Sequence, residues 1–79
     1  MIHNIDVHGL THKQAVIKVE NELINLSISK NWTAEVITGK SKPMQDKIIK
    51  EVLDLHKFSY YIPVNNNGVI IVEEDGLIL

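Results

Sequence analysis

Asp6 and His8 stand two residues apart in the run Asn4-Ile5-Asp6-Val7-His8-Gly9, and a carboxylate beside an imidazole is a pair able to move protons near neutral pH. The carboxylate can favour the protonated imidazole or help to hold a divalent cation. Further along, Thr38-Gly39-Lys40-Ser41-Lys42 places two lysines and the mouth of a helix where free backbone N–H groups favour an anion. Brought together, the two runs would meet both needs of phosphodiester cleavage, a group that transfers a proton and groups that offset charge on the phosphate. A histidine beside a strand-end aspartate is more often a structural partner, so the pair by itself does not establish an enzyme. His3, His12 and His56 read as solvated or capping residues. Gly39-Lys40-Ser41 also imitates the end of a nucleotide-binding P-loop, but that motif needs a glycine where Ala34 stands, and it is rejected.

The elements that must carry these residues follow from hydrophobic spacing. Asn4 to Gly9 alternates polar and apolar, the pattern of a strand with Ile5 and Val7 toward a core and Asp6 and His8 on the wet face. Thr11 and Gln14 form a capping box opening a helix that runs to about Ser29, with Ala15, Val16, Val19, Leu23 and Leu26 as its main stripe. Ile17, Ile24 and Ile28 fall on another side and are expected against a second helix, with a partner protein as the alternative. Thr33 to Thr38 is a β-branched strand that stops at Gly39. Pro43 then opens a helix to about His56, buried through Met44, Ile48, Ile49, Val52 and Leu55. Tyr60 to Val64 and Val69 to Val72 make a hairpin around Asn65-Asn66-Asn67-Gly68.

The resulting order is β-α-β-α-β-β, an α/β two-layer sandwich with a four-stranded mixed sheet and both helices on one face. Pro63 suits an edge strand, the alternating first strand suits the other edge, and the unbroken Val69 to Val72 run suits the interior. These preferences give the strand order first, second, fourth, third. The carboxyl ends of the first two strands then share one border, where Asp6, His8, Gly9 and His12 would face the Gly39 loop. Trp32 lies at the opposite border and is assigned packing alone, and Tyr60 and Tyr61 are expected to pack in the core or at the edge, with base stacking as the alternative for one of them.

Composition narrows the classes of function. Seventy-nine residues, 44% of them apolar and none cysteine, leave room for one thin sheet and a few helices, with any site an edge or a shallow groove. The whole chain, 1–79, is read as one domain with its core over about 4–74 and a tail over 75–79. No stretch approaches the roughly 20 apolar residues of a membrane span, and the opening Met1-Ile2-His3-Asn4 is unlike a signal peptide, so a cytoplasmic protein without a membrane partner is expected. Eight basic residues, all lysine, against ten carboxylates give a net charge of −2. Binding to a polyanion must therefore rest on a local patch, without the bidentate forks of arginine.

Asp6-Val7-His8-Gly9-Leu10-Thr11, followed by an amphipathic helix, resembles the opening of the small MutS-related (Smr) domain, whose hallmark is Asp-Leu-His-Gly-Leu-Thr. Thr38-Gly39-Lys40-Ser41 stands where that family has His/Thr-Gly-Lys/Arg-Gly, and Asn67-Gly68-Val69-Ile70-Ile71-Val72 is similar to its closing strand. The resemblance covers about residues 4–74. It implies a fold like the C-terminal domain of translation initiation factor three, and a nucleic-acid-binding domain that nicks DNA or cleaves RNA as an endonuclease, here as a free-standing minimal domain. On that pattern Asp6 and His8 carry or support cleavage. Thr38, Gly39, Lys40, Ser41 and Lys42 hold the phosphate backbone, with Gly9 and His12 accessory. Ser41 departs from the family's second glycine. If that glycine supplies positive φ or a close backbone approach, serine weakens the cradle; otherwise its hydroxyl adds a donor or a helix cap.

The expectation is thus a phosphodiester-cleaving endonuclease acting on a DNA or RNA backbone. The alternatives are a non-catalytic nucleic-acid-binding module, or a protein-interaction or self-associating domain that uses the open sheet face, the spare isoleucines or Leu77 to Leu79. No cofactor is fixed by the motifs; Mg²⁺ is the candidate, with Glu73, Glu74 and Asp75 as one carboxylate run that otherwise reads as solvated charge.

Overall fold

A computed structural model describes residues 2–74. Four strands, β1 (Ile2–Asp6), β2 (Thr33–Ile37), β3 (Ser59–Tyr61) and β4 (Val69–Glu73), form one mixed sheet in the order β1-β2-β4-β3. Two helices accompany them: α1 (His12–Leu26), and α2 (Lys42–Ile48) prolonged by a π-helical turn over Ile49–Leu53. β1 and β2 pair in parallel, while β4 lies antiparallel between β2 and β3. This is the four-stranded, two-helix arrangement that the hydrophobic spacing implies, with β4 interior and β1 and β3 at the edges.

Register explains which side chains reach the core. Ile5, Val36 and Ile70 lie in one cross-strand row and Ala34 and Val72 in the next, all on the helix-covered face and all at most 1% exposed. Helices contribute Ala15, Val19 and Leu23 from α1 and Met44 and Ile48 from α2, with Val52 and Leu53 from the π-helical turn. Burying each Leu, Ile or Val contributes about 1.5–3 kcal/mol, the main source of stability in a chain this small. Asn4, Asp6, Glu35 and Ile71 occupy the opposite, uncovered face.

Local chemistry sets the boundaries. Thr11 caps α1 as expected: its hydroxyl accepts from Gln14 N and the Gln14 side chain accepts from Thr11 N, both at 3.1 Å. The helix stops at Leu26 rather than near Ser29, because Ser27 turns its hydroxyl onto the Ile24 carbonyl at 2.6 Å and competes with the next helical turn. Strand β1 also begins earlier than its alternation implied, at Ile2, and ends at Asp6, where Leu10 N bonds Val7 O in a tight turn with Gly9 at φ +85°. The hairpin ladder starts at Ser59 and breaks after Tyr61, so Ile62 to Gly68 is its connection and Pro63 stands just past the edge strand. Tyr60 and Tyr61 are both exposed, since β3 is a three-residue edge and no helix covers it.

Two expectations about the helices are corrected. Ile17, Ile24 and Ile28 are exposed at 49%, 48% and 85%, so α1 meets α2 through other side chains and these three face outward. On the second helix Leu55, expected inside, is 67% exposed and Leu53 is buried in its stead. The cause is the π-helical turn: Asp54 N reaches back five residues to Ile49 O at 2.7 Å, which adds a residue to that turn and rotates everything after it. Trp32, as expected, packs at the far border, edge-on to Phe58 with ring centroids 6.2 Å apart. The Leu77 to Leu79 tail and Asp75 lie outside the described residues. No helix among the described residues is long and apolar enough to cross a membrane.

Leu53→Ala should therefore cost about 2–5 kcal/mol in urea unfolding, whereas Leu55→Ala should cost less than about 0.5 kcal/mol. The reverse ranking, a large loss at Leu55 and a small one at Leu53, would mean that an uninterrupted α-helical register holds in solution.

Candidate functional site

Parallel pairing of β1 with β2 brings their carboxyl ends side by side, and Val7 N continues the ladder to Ile37 O at 2.9 Å. Asp6 and His8 therefore project from the uncovered face next to the loop that follows β2. Asp6 accepts the backbone N–H of His8 at 3.2 Å, and the same Oδ1 contacts His8 Nδ1. A carboxylate can only accept, so Nδ1 carries the proton and Nε2 is turned outward as the second functional nitrogen. The hydrogen bond from His8, chiefly its side chain, holds the Asp6 carboxyl below its ordinary value of 3.8, with a smaller lowering from Lys18. Both side chains remain at least half exposed.

The second loop is locked from beneath. Thr38 is buried at 3% exposure; its backbone N–H donates to Gly68 O at 3.0 Å and its hydroxyl lies 2.7 Å from Gly39 O and 3.1 Å from Gly68 O. Gln45, also 3% exposed, donates from Nε2 to Thr38 Oγ1 at 2.9 Å and to Asn67 O at 2.8 Å. One amide on α2 thus ties the end of β2 to the loop before β4. Gly39 has φ +67°, and a Cβ placed there would sit 3.7 Å from the His8 Cβ. Gly68 packs against the Gly39 peptide, where an added Cβ would lie 3.4 Å from its carbonyl carbon. The three motif segments therefore converge on a single spot.

Ser41 settles the question raised by its departure from glycine. It adopts φ −90°, ordinary for any residue, and its hydroxyl accepts from Met44 N at 3.4 Å as the N-cap of α2. Pro43 brings no N–H and Ser41 occupies that of Met44, so the helix mouth offers few free amides. Positive charge comes instead from side chains. Lys40 is exposed and has no carboxylate partner among the described residues; Lys42 pairs with Asp46 at 2.8 Å, an exposed contact that an incoming anion can displace. A third lysine escaped the sequence reading: Lys18 on α1 donates to the Asp6 carbonyl at 3.3 Å.

Of the residues assigned from sequence, Asp6, His8, Gly39, Lys40, Ser41 and Lys42 are brought to this border, and Thr38 sits beneath it with its hydroxyl engaged within the loop cluster. Gly9 shapes the turn, and His12 is exposed as the first residue of α1. Gln45 was missed because a polar residue on a helix flank reads as solvent-facing; its one signal was its position within reach of the buried stripe, beside Met44 and three before Ile48. No group of three or more His, Asp or Glu side chains among the described residues could hold a metal, and Glu74 accepts from Asn31 N. No family model, curated protein or solved structure matches the chain.

Because His8 is the main cause of the lowered Asp6 pKa, His8→Ala should move the Asp6 carboxyl up toward 3.8 in a carbon-detected NMR titration. The sign for stability follows: the pair's contribution is present above that ordinary value and is lost as pH falls through the folded pKa. An Asp6 titration indifferent to His8 would mean that the contact does not persist in solution.

Proposed function

We propose that this chain is a nucleic-acid-binding domain of the small MutS-related type that cleaves phosphodiester bonds. The observation that carries it is the Asp6–His8 pair standing beside the Gly39 loop, close enough that a Cβ on Gly39 would lie 3.7 Å from the His8 Cβ. A strand laid along this border would place one phosphate near Lys40, Lys42 and the loop amides. His8 Nε2, its ring oriented by Asp6, takes the proton from the attacking hydroxyl, either water or a ribose 2′-hydroxyl. As the new P–O bond forms and the bond to the leaving oxygen breaks, the lysines offset charge on the non-bridging oxygens. The leaving oxygen then takes a proton from the imidazolium or from water. Without arginine and at a net charge of −2, affinity rests on few contacts and falls with salt.

A protein-interaction role is the second reading, favoured by the outward-facing Ile17 and Ile24 of α1 and by Ile28 just beyond its end. Sedimentation separates it: concentration-dependent self-association that disappears in Ile24→Lys, with no affinity for any oligonucleotide, would establish this reading in place of the first.

The direct experiment incubates the chain with labelled single-stranded RNA, supercoiled plasmid and short duplex DNA, with and without Mg²⁺. His8→Ala should abolish cleavage while leaving the fold and most of the binding intact, and turnover equal to that of the unmodified chain removes His8 from the chemistry. Lys40→Ala should weaken binding to all sequences alike and reduce the salt slope by about one unit.

A further inference from the structure

A cavity of about 280 Å³ opens beside the Gly39 loop, lined by Lys40, Lys42, Gln45, Ile62 and Asn67. Its walls differ in kind. Lys40 and Lys42 supply positive charge, and Lys40 directly follows Gly39, where an added Cβ would come within 3.7 Å of the His8 Cβ. Ile62 packs against the hydrophobic core and is also part of the cavity wall, an apolar surface from the connection between β3 and β4. The Gln45 amide is part of the same lining. Its Nε2 is occupied twice, by Thr38 Oγ1 and by the Asn67 carbonyl, and a carbonyl can only accept, so the amide orientation is fixed. Oε1 is the atom left over, an acceptor held on a rigid amide that lines the cavity.

Two cationic side chains, a fixed acceptor and an apolar side chain match the parts of a nucleotide: phosphate, hydroxyl or amino donor, and base. The volume lies just below the roughly 300–1,000 Å³ of drug-sized ligand sites, the scale of one such unit rather than several. We propose that this cavity is the subsite for a single nucleotide unit of a bound strand, adjacent to the phosphate that faces His8. Lys40 and Lys42 take its phosphate, Gln45 Oε1 accepts from its sugar or base, and Ile62 packs on its base. The assignment rests on the nucleic-acid reading above but not on cleavage. Asp46, the partner of Lys42, is the acidic group that the phosphate must displace.

The test titrates the full chain by NMR with inorganic phosphate, adenosine, adenosine 5′-monophosphate and a tetra-adenylate. The monophosphate should bind about tenfold more tightly than phosphate or adenosine alone, with shifts at Lys40, the Gln45 side-chain amide, Ile62 and Asn67, and the tetranucleotide about tenfold more tightly again. Phosphate binding as well as the monophosphate would reduce the cavity to an anion site and overturn the proposal. A tetranucleotide no tighter than the monophosphate would make it a site for free nucleotides and overturn the strand assignment. Ile62→Ala should weaken the monophosphate about threefold or more and leave phosphate unchanged, whereas Lys40→Ala should weaken both. The same shifts should survive in His8→Ala, which is blind to cleavage; cleavage without them would sink the subsite alone, and the shifts without any cleavage would sink the nuclease reading alone.

Discussion

The Gln45 amide is the contact on which the border of this domain depends. Three chain segments that have no reason to approach one another in sequence, the end of β2, the start of α2 and the loop before β4, meet at one buried NH₂ group. Each of its two hydrogen bonds contributes about 1 kcal/mol net, but the larger effect is asymmetric: an unmade bond would leave a donor of the buried Gln45 amide without its partner, at about 1–3 kcal/mol. The arrangement is therefore specified more by what a broken network costs than by what an intact one yields. Gly39 at positive φ, packed between His8 and Gly68, is the geometric result.

Charge works on a different scale. A net −2 creates a weakly repulsive field, yet with a Debye length of about 8–10 Å at moderate salt the distant carboxylates matter less to a bound phosphate than Lys40 and Lys42. Asp6 is the acidic group closest to the site, and its charge is shared with the His8 contact and with Lys18. A polyanion thus meets a border at which Asp6 is already paired. The second carboxylate, Asp46, holds Lys42 by an exposed contact of the kind worth less than about 1 kcal/mol, too weak to keep a phosphate out.

Much of this was legible in the sequence wherever a short-range rule decides. Alternation placed Ile5 and Val7 inside and Asp6 and His8 outside, and the Thr11–Gln14 capping box fixed the start of α1. Pro63, the alternating first strand and the unbroken Val69 to Val72 run gave the strand order, although Pro63 stands just past β3 and Ile71 faces the uncovered side of the sheet. The losses came where one residue changes the count. A single π-helical turn exchanged Leu53 for Leu55, and no periodicity announces it. Gln45 and Lys18 were invisible for a related reason: a polar residue's partner is set by tertiary approach, and Thr38, Asn67 and the Asp6 carbonyl lie seven to twenty-two residues away.

Exposure of the Asp6–His8 pair constrains how such a site could work. At 50% and 65% side-chain exposure the two groups sit in a high-dielectric setting, where charges interact far more weakly than they do once water is excluded. A bound ligand can supply that exclusion. A strand lying over the border would displace solvent from His8 and from Lys40 together, so the proton transfer and the charge stabilisation would strengthen only in the bound state. On the proposed reading, then, binding and chemistry are coupled by the exposure of the pair, and a substrate that covers the border strengthens the interactions that act on it.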